Sequence, residues 1–303
     1  MRIFLTGGTG YVGRQILRDL CAKGHAVTTL VRPGSRHKLP DELRRNVALI
    51  EGDILRPESY ANAFHKCEAC INLPGILREF PSKGVTFEGV HFRGTKLLID
   101  LAGKNAPIRF IQMSALGVRQ GAATKYQKTK YRAEEYLKAS GMHWTIFRPS
   151  LMFGNEKEGL MNFMTVLKDL LAMAPFVVPV LGDGKYRFQP VAVQNVSEGF
   201  VEALERPEAI GKTYDVAGPD RFSYNELLDI VSRVVGVNKI KLHQPMTLMK
   251  IAALLFGRFQ FFPVSRDQIT MLQEENISDR WEEFFYDFNI TPLRLVENIQ
   301  KGF

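Results

Sequence analysis

Thr6-Gly7-Gly8-Thr9-Gly10-Tyr11-Val12-Gly13 follows directly on the apolar run Arg2-Ile3-Phe4-Leu5. The run reads as a strand ending at residue 6. The spacing after it predicts a helix over 10–23. The G-x-x-G-x-x-G pattern therefore sits on a strand-to-helix turn, where its glycines have a physical purpose. Glycine permits the tight turn and lets backbone approach a pyrophosphate. The N-terminus of the following helix offers free N–H groups and the positive end of its dipole to phosphate oxygens. Gly7, Thr9, Gly10, Tyr11, Val12 and Gly13 are accordingly assigned to dinucleotide binding.

Outward from this turn, strands and helices alternate. Strands are predicted over 26–31, 47–51, 69–73, 108–113 and 144–147. Helices are predicted over 57–66, 88–104 and 126–139. That alternation implies βαβ units, and so an α/β fold with a doubly wound parallel Rossmann sheet. In such sheets ligands bind beyond the carboxyl ends of the strands. Asp53 and Ile54 after the third strand, Leu73, Pro74 and Gly75 at the end of the fourth, and Pro149 after the sixth are further cofactor candidates. Asp53 has two readings: acceptor for an adenine amino group, or turn carboxylate.

The rhythm changes after Arg148-Pro149. Helices are predicted over 160–173, 196–204 and 223–235, with strands over 185–193 and 213–216. Ser223 with Glu226 three residues on forms a capping-box pattern. This half reads as a smaller C-terminal substrate lobe interleaved with the sheet. The expected division is 1–155 with 185–206 returning to the nucleotide domain, and 156–184 with 207–303 in the lobe.

The end of the second strand selects the cofactor. A carboxylate there would bind a ribose 2′-hydroxyl. This chain has Val31-Arg32, then Ser35, Arg36 and Lys38. Arg32 and Arg36 suit a 2′-phosphate, so NADP(H) is expected over NAD(H), which stays open as the alternative.

Tyr126 and Lys130 are four apart and share a helical face. A free tyrosine titrates near pH 10, and a neighbouring ammonium stabilises its phenolate. Ser114 ends the preceding strand, in position to hydrogen-bond a substrate oxygen. Tyr126 would then exchange the hydroxyl proton as hydride moves. Ser114, Tyr126 and Lys130 are the catalytic candidates, with Lys130 also a cofactor contact.

Together these residues resemble a family. Thr6–Gly13, Gly52-Asp53, Ile111-Gln-Met-Ser-Ala-Leu-Gly117, Tyr126-x-x-x-Lys130 and Phe147-Arg-Pro-Ser150 occur in the order of the short-chain dehydrogenase/reductase superfamily, in its atypical and extended branch of epimerase/dehydratase type. Arg187-Phe-Gln-Pro-Val-Ala-Val193, Asn195-Val-Ser197, Gly218-Pro219 and Pro263-Val-Ser-Arg-Asp-Gln-Ile-Thr-Met-Leu272 are similar to the subgroup of the nucleotide-binding accessory subunit of respiratory complex I, in its free-standing bacterial form. The superfamily resemblance implies hydride-transfer chemistry on Ser114, Tyr126 and Lys130. The subgroup resemblance implies a non-catalytic module that holds NADPH for a membrane complex. The chain departs from the extended pattern in Val90-His-Phe-Arg-Gly-Thr95, where His91 stands in place of asparagine. His91 is either a substitute proton carrier or a packed helix histidine.

Composition bounds the rest. Of 303 residues, 45% are apolar and 24% charged, which excludes disordered and collagen-like chains. The net charge of +8 favours anionic partners without choosing among them. No helix-turn-helix or aromatic-basic platform is evident, so nucleic acid is not expected. Three cysteines make no disulfide framework and fit a reducing, cytoplasmic compartment. Cys67 and Cys70 have C-x-x-C spacing without a second pair, so no metal is expected. No signal peptide is read at the start of the chain. The segment 245–264 is rich in Met, Leu and Phe and carries Lys250 and Arg258. It suits lobe core, the mouth for an unknown hydrophobic small molecule, or peripheral contact with the inner face of a membrane or a respiratory complex. Such apolar weight suits a greasy ligand better than a sugar nucleotide.

Overall fold

The computed structural model describes residues 1–103, 108–155, 160–245, 247 and 266–302. The first half runs β1 (Arg2–Thr6), α1 (Tyr11–Ala22), β2 (Ala26–Val31), α2 (Asp41–Asn46), β3 (Ala48–Glu51), α3 (Ala61–Phe64), β4 (Ala69–Asn72), α4 (Gly94–Ala102), β5 (Arg109–Met113), α5 (Lys125–Lys138) and β6 (His143–Pro149). A π-helical turn, Glu88–Arg93, leads straight into α4. The second half runs β7 (Met152–Phe153), α6 (Phe163–Ala172), β8 (Val177–Leu181), β9 (Arg187–Phe188), β10 (Val191–Ala192), α7 (Val193–Glu202), β11 (Lys212–Val216), β12 (Phe222–Ser223), α8 (Tyr224–Val235) and β13 (Ile240–Gln244). Helices Arg266–Gln273, Trp281–Phe288 and Leu295–Gly302 follow.

The chain divides into two compact units. The first holds Met1–Pro149, Gln194–Val216 and Glu282–Thr291. Its seven strands are all parallel, in the order β11-β6-β5-β4-β1-β2-β3. The order reverses between β1 and β4, and that switch point opens a crevice at the carboxyl ends of the strands. β1 and β4 bury both faces, as a doubly covered parallel sheet requires. Phe4, Phe64, Cys70, Leu98, Phe110, Leu137 and Ile146 form one core cluster. Each of the Phe, Leu and Ile side chains contributes roughly 1.5–3 kcal/mol by leaving water. Cys70 is one of these core residues, and burial pushes its thiol well up from the ordinary range.

The second unit holds Ser150–Val193, Ala217–Trp281 and Pro292–Phe303. Its core gathers Phe153, Met164, Leu167, Val178, Phe188, Leu227, Leu228, Val231 and Leu295. β8 and β13 pair in parallel, and β9 and β12 antiparallel. Ser223 and Glu226 make the reciprocal capping box at the start of α8.

Three features differ from the sequence reading. β11 and Trp281–Phe288 were expected in the lobe. Instead β11 is the edge strand of the central sheet, and Phe147 packs against Tyr214, Phe284 and Phe288 in the first unit. A five-residue strand with alternating polar and apolar side chains, Lys212–Val216, reads the same whichever sheet it joins. The single strand expected over 185–193 is broken into β9 and β10 around Pro190, which has no N–H for a ladder. The parallel pair β8 and β13 was not anticipated. Most of the apolar segment 245–264 lies outside the described residues.

Candidate functional site: a dinucleotide cradle beside Tyr126 and Lys130

The glycine turn leaves β1 at Thr6 and enters α1 at Tyr11. Gly7 has φ +83°, a left-handed conformation that a side chain resists. Its amide oxygen accepts from Gly10 N–H at 3.0 Å, which closes the turn. A Cβ on Gly13 would lie 2.2 Å from Gly7 O and 2.7 Å from Gly8 Cα. The turn and the helix are thus packed backbone on backbone. Gly10 is the N-cap of α1, no side chain caps it, and its first turn holds no carboxylate. Such an end favours an anion. A Cβ on Gly7 would sit 3.1 Å from Leu73 Cβ and 3.3 Å from Pro74 N. The glycine turn therefore lies against the loop after β4, and the residues present fit a pyrophosphate-bearing ligand.

Arg32 and Arg36 are exposed beyond β2, in a turn closed by Ser35 N–H on Arg32 O at 2.9 Å. Arg14 was missed by the sequence reading. Its guanidinium donates to Lys38 O, tying the first turn of α1 to this cationic loop. The signal was present, since Arg14 follows the last glycine of the motif. Asp53 Oδ1 accepts from Leu55 N–H at 2.9 Å, so one of its oxygens serves the turn. Ile54 packs under Gly94 at the start of α4, and its carbonyl accepts from Tyr60 OH at 3.0 Å.

Four buried polar side chains lock the strand ends. Thr6 Oγ1 donates to Asn72 Oδ1 at 2.6 Å. Asn72 Nδ2 donates to Thr95 Oγ1 at 2.9 Å and to Gln112 Oε1 at 2.8 Å. A fully paired buried network rigidifies what it joins, here β1, β4, β5 and α4.

Ser114, Tyr126 and Lys130 are all buried in the first unit. Ser114 N–H donates to Phe147 O at 2.7 Å, and Leu116 N–H to Pro149 O at 3.0 Å, so the loop after β5 runs along the end of β6. Ser114 Oγ is buried and meets no hydrogen-bond partner among the described residues. Such a hydroxyl could bond an oxygen brought by a ligand. Thr124 caps α5 by accepting from Gln127 N–H. That start places Tyr126 in the first turn of α5 and Lys130 one turn later.

Lys130 Nζ donates to Met113 O at 3.3 Å and lies 5.6 Å from the centre of the Tyr126 ring. A Cβ on Gly75 would be 3.5 Å from that Nζ, so the loop after β4 reaches the lysine. Burial pushes the Lys130 ammonium down to about 8, with Glu134 pulling the other way. Burial pushes the Tyr126 phenol up. Desolvation thus acts on Tyr126 against the stabilisation that a neighbouring ammonium offers its phenolate.

His91 is held by both ring nitrogens. Nε2 accepts from Ile76 N–H at 3.1 Å, and Nδ1 lies 3.0 Å from Thr129 Oγ1. Burial, then the Lys130 charge, pushes it down to about 2. Of its two readings, the geometry supports the packed histidine and not the proton carrier.

The model of a family described as NAD(P)H-binding matches residues 7–170. The chain belongs to this family. Within the NAD(P)H-binding family it is similar to atypical short-chain dehydrogenase/reductases. It is 31% identical to NADH dehydrogenase (ubiquinone) 1 alpha subcomplex subunit 9, mitochondrial, of Arabidopsis thaliana, over 95% of this chain and 74% of that one. It is 25% identical to the photosystem II assembly factor Ycf39 of Synechocystis, over 89% of this chain and 78% of that one. The fold is similar to that of UDP-glucose 4-epimerase from Thermotoga maritima, with TM-score 0.75 and 18% identity over 99% and 96% of the two chains. Among the described residues, no helix is long and apolar enough to cross a membrane. No group of three or more His, Cys, Asp or Glu among them is arranged to hold a metal ion.

Proposed function

We propose that this NAD(P)H-binding protein holds NADP(H) as a stabilising or assembly module for a membrane-bound respiratory complex, at the inner face of the membrane. The observation that carries it is a cationic, glycine-lined dinucleotide cradle in a chain whose relatives, along nearly its whole length, are named for a respiratory-complex subunit and a photosystem assembly factor. Gly7, Gly10 and Gly13 leave backbone room for the pyrophosphate. Arg32 and Arg36, with Arg14 tied to the same loop, supply charge for a 2′-phosphate, and no carboxylate stands at the end of β2 to prefer a bare ribose. Leu73, Pro74, Gly75 and Pro149 line the carboxyl ends of the strands, and Lys130 reaches the same crevice. Relatives spanning nearly the whole chain carry the names of a respiratory-complex subunit and a photosystem assembly factor. The apolar sequence of 245–264 supports a hydrophobic partner.

Ser114 favours a second reading, a reductase or dehydrogenase of a hydrophobic alcohol or carbonyl. The bound nicotinamide would supply or take up hydride. Ser114 Oγ would hold the substrate oxygen, Tyr126 would give or take its proton, and Lys130 would stabilise the phenolate and hold the cofactor ribose.

The test begins with protein purified without added nucleotide, its released cofactor identified by mass, and NADPH and NADH titrated by fluorescence. NADPH retained through purification, inert to quinones and lipophilic carbonyls, and co-purification with a membrane complex are the expected results. Turnover abolished by Tyr126→Phe with cofactor binding intact would replace the first reading by the second. Binding of neither nucleotide would remove both.

A further inference from the structure

We infer that His91 is a positioning residue that sets the distance between the loop after β4 and the helix carrying Tyr126 and Lys130. The inference rests on reading Leu73–Gly75 and Lys130 as parts of the dinucleotide site. His91 lies on the π-helical turn before α4, and three elements converge on it. From the loop, Ile76 N–H donates to Nε2 at 3.1 Å. From α5, Thr129 Oγ1 lies 3.0 Å from Nδ1, and the Tyr126 ring meets the imidazole edge-on at 5.1 Å. From α4, Thr95 Oγ1 donates to His91 O at 2.7 Å and also accepts from Asn72, the last residue of β4. Phe87 stacks on the ring at 5.3 Å.

The partners dictate the tautomer. Ile76 N–H can only donate, so Nε2 carries no proton. The Thr129 hydroxyl is within reach of Lys125 O and Tyr126 O, 3.0 Å each, and donates there. Its oxygen then accepts from Nδ1–H. The imidazole is a neutral bridge with one fixed polarity. A protonated ring would set an N–H against the Ile76 N–H and a second cation beside Lys130. His91 thus acts through Ile76 and Thr129, which adjoin Gly75 and Lys130 respectively. It keeps Gly75 against the ammonium.

The test uses the full chain. Ring-nitrogen NMR of histidine-labelled protein should show His91 as the neutral Nδ1–H tautomer from pH 5 to 9. The charged or titratable groups facing it are Lys130 and Tyr126 of α5. Hydrogen exchange at the Ile76 amide should quicken about tenfold or more in His91→Phe, because that N–H loses its acceptor. NADPH affinity should fall by a similar factor in His91→Phe and be restored to within a few-fold in His91→Gln, which carries both an acceptor and a donor. An imidazole titrating near its ordinary value, or unchanged Ile76 exchange in His91→Phe, would overturn the inference. If His91→Phe fails to fold, the wild-type tautomer and the Gln variant still decide. If the wild type binds no dinucleotide, the cofactor reading fails on its own, while the tautomer and the Ile76 exchange decide the role of His91.

Discussion

Glu134 and Arg148 meet in a two-pronged ion pair, Arg148 Nε on Glu134 Oε1 at 3.0 Å and Nη2 on Oε2 at 2.5 Å. The carboxylate is fully buried and the arginine is 21% exposed. Glu134 lies one helical turn beyond Lys130 and is the charge that offsets the desolvation of that ammonium. The pair therefore joins α5 to β6 and tunes the lysine of the candidate site.

Glu134→Gln leaves a half-buried guanidinium without its carboxylate. Breaking a buried pair costs roughly 3–5 kcal/mol, and the exposed part of Arg148 puts the expected loss at the low end. Urea unfolding at pH 7 measures it. The same variant should lower the Lys130 titration further, which NMR of the Lys130 side chain reports.

Lys130→Met tests the cost of the buried ammonium. The folded-state value is about 8 against an ordinary 10.5. Below pH 8 both folded and unfolded chains carry the proton, and the folded chain bears the full cost. Between 8 and 10.5 the unfolded chain binds more protons, so wild-type stability rises with pH across that window. The variant should be more stable than wild type by roughly 3 kcal/mol at pH 7, with the gain vanishing toward pH 10.5. NADPH binding should weaken. A variant less stable than wild type at pH 7 would contradict the burial argument.

Gly13→Ala would place a methyl group 2.2 Å from Gly7 O, against backbone that cannot swing aside. The turn must open. Overpacking of this kind costs roughly 1–3 kcal/mol in stability, and dinucleotide affinity should fall more than a hundredfold. Calorimetry of the variant with NADPH checks both.

Arg32→Ala and Arg36→Ala should each weaken NADPH about tenfold or more while leaving NADH within about threefold, since only the 2′-phosphate gains charge-assisted hydrogen bonds. Arg14→Ala should act in the same direction by releasing Lys38 O. The NADPH preference should also shrink with salt, because these cations are exposed. Equal losses for both cofactors would move the cationic loop out of the recognition site.

Local chemistry made the nucleotide half legible. A glycine motif between an apolar run and a helix has few physical uses, and strand–helix alternation admits few topologies. Gly7, Gly13, Ser114, Tyr126 and Lys130 could thus be singled out from their immediate neighbours along the chain. What remained belonged to contacts made across long stretches of sequence. His91 reaches Thr129 across 38 residues and Arg14 reaches Lys38 across 24. Hydrophobic periodicity reports which face is buried, not which sheet buries it, so the placement of β11 was beyond it. The protonation of His91, Tyr126 and Lys130 depends on desolvation, which exists only once the chain is packed. Residue types and spacing alone determined that this protein carries a dinucleotide-type turn on a parallel sheet. Tertiary structure decided that burial acts on Tyr126 and Lys130, and that His91 is held between Ile76 and Thr129.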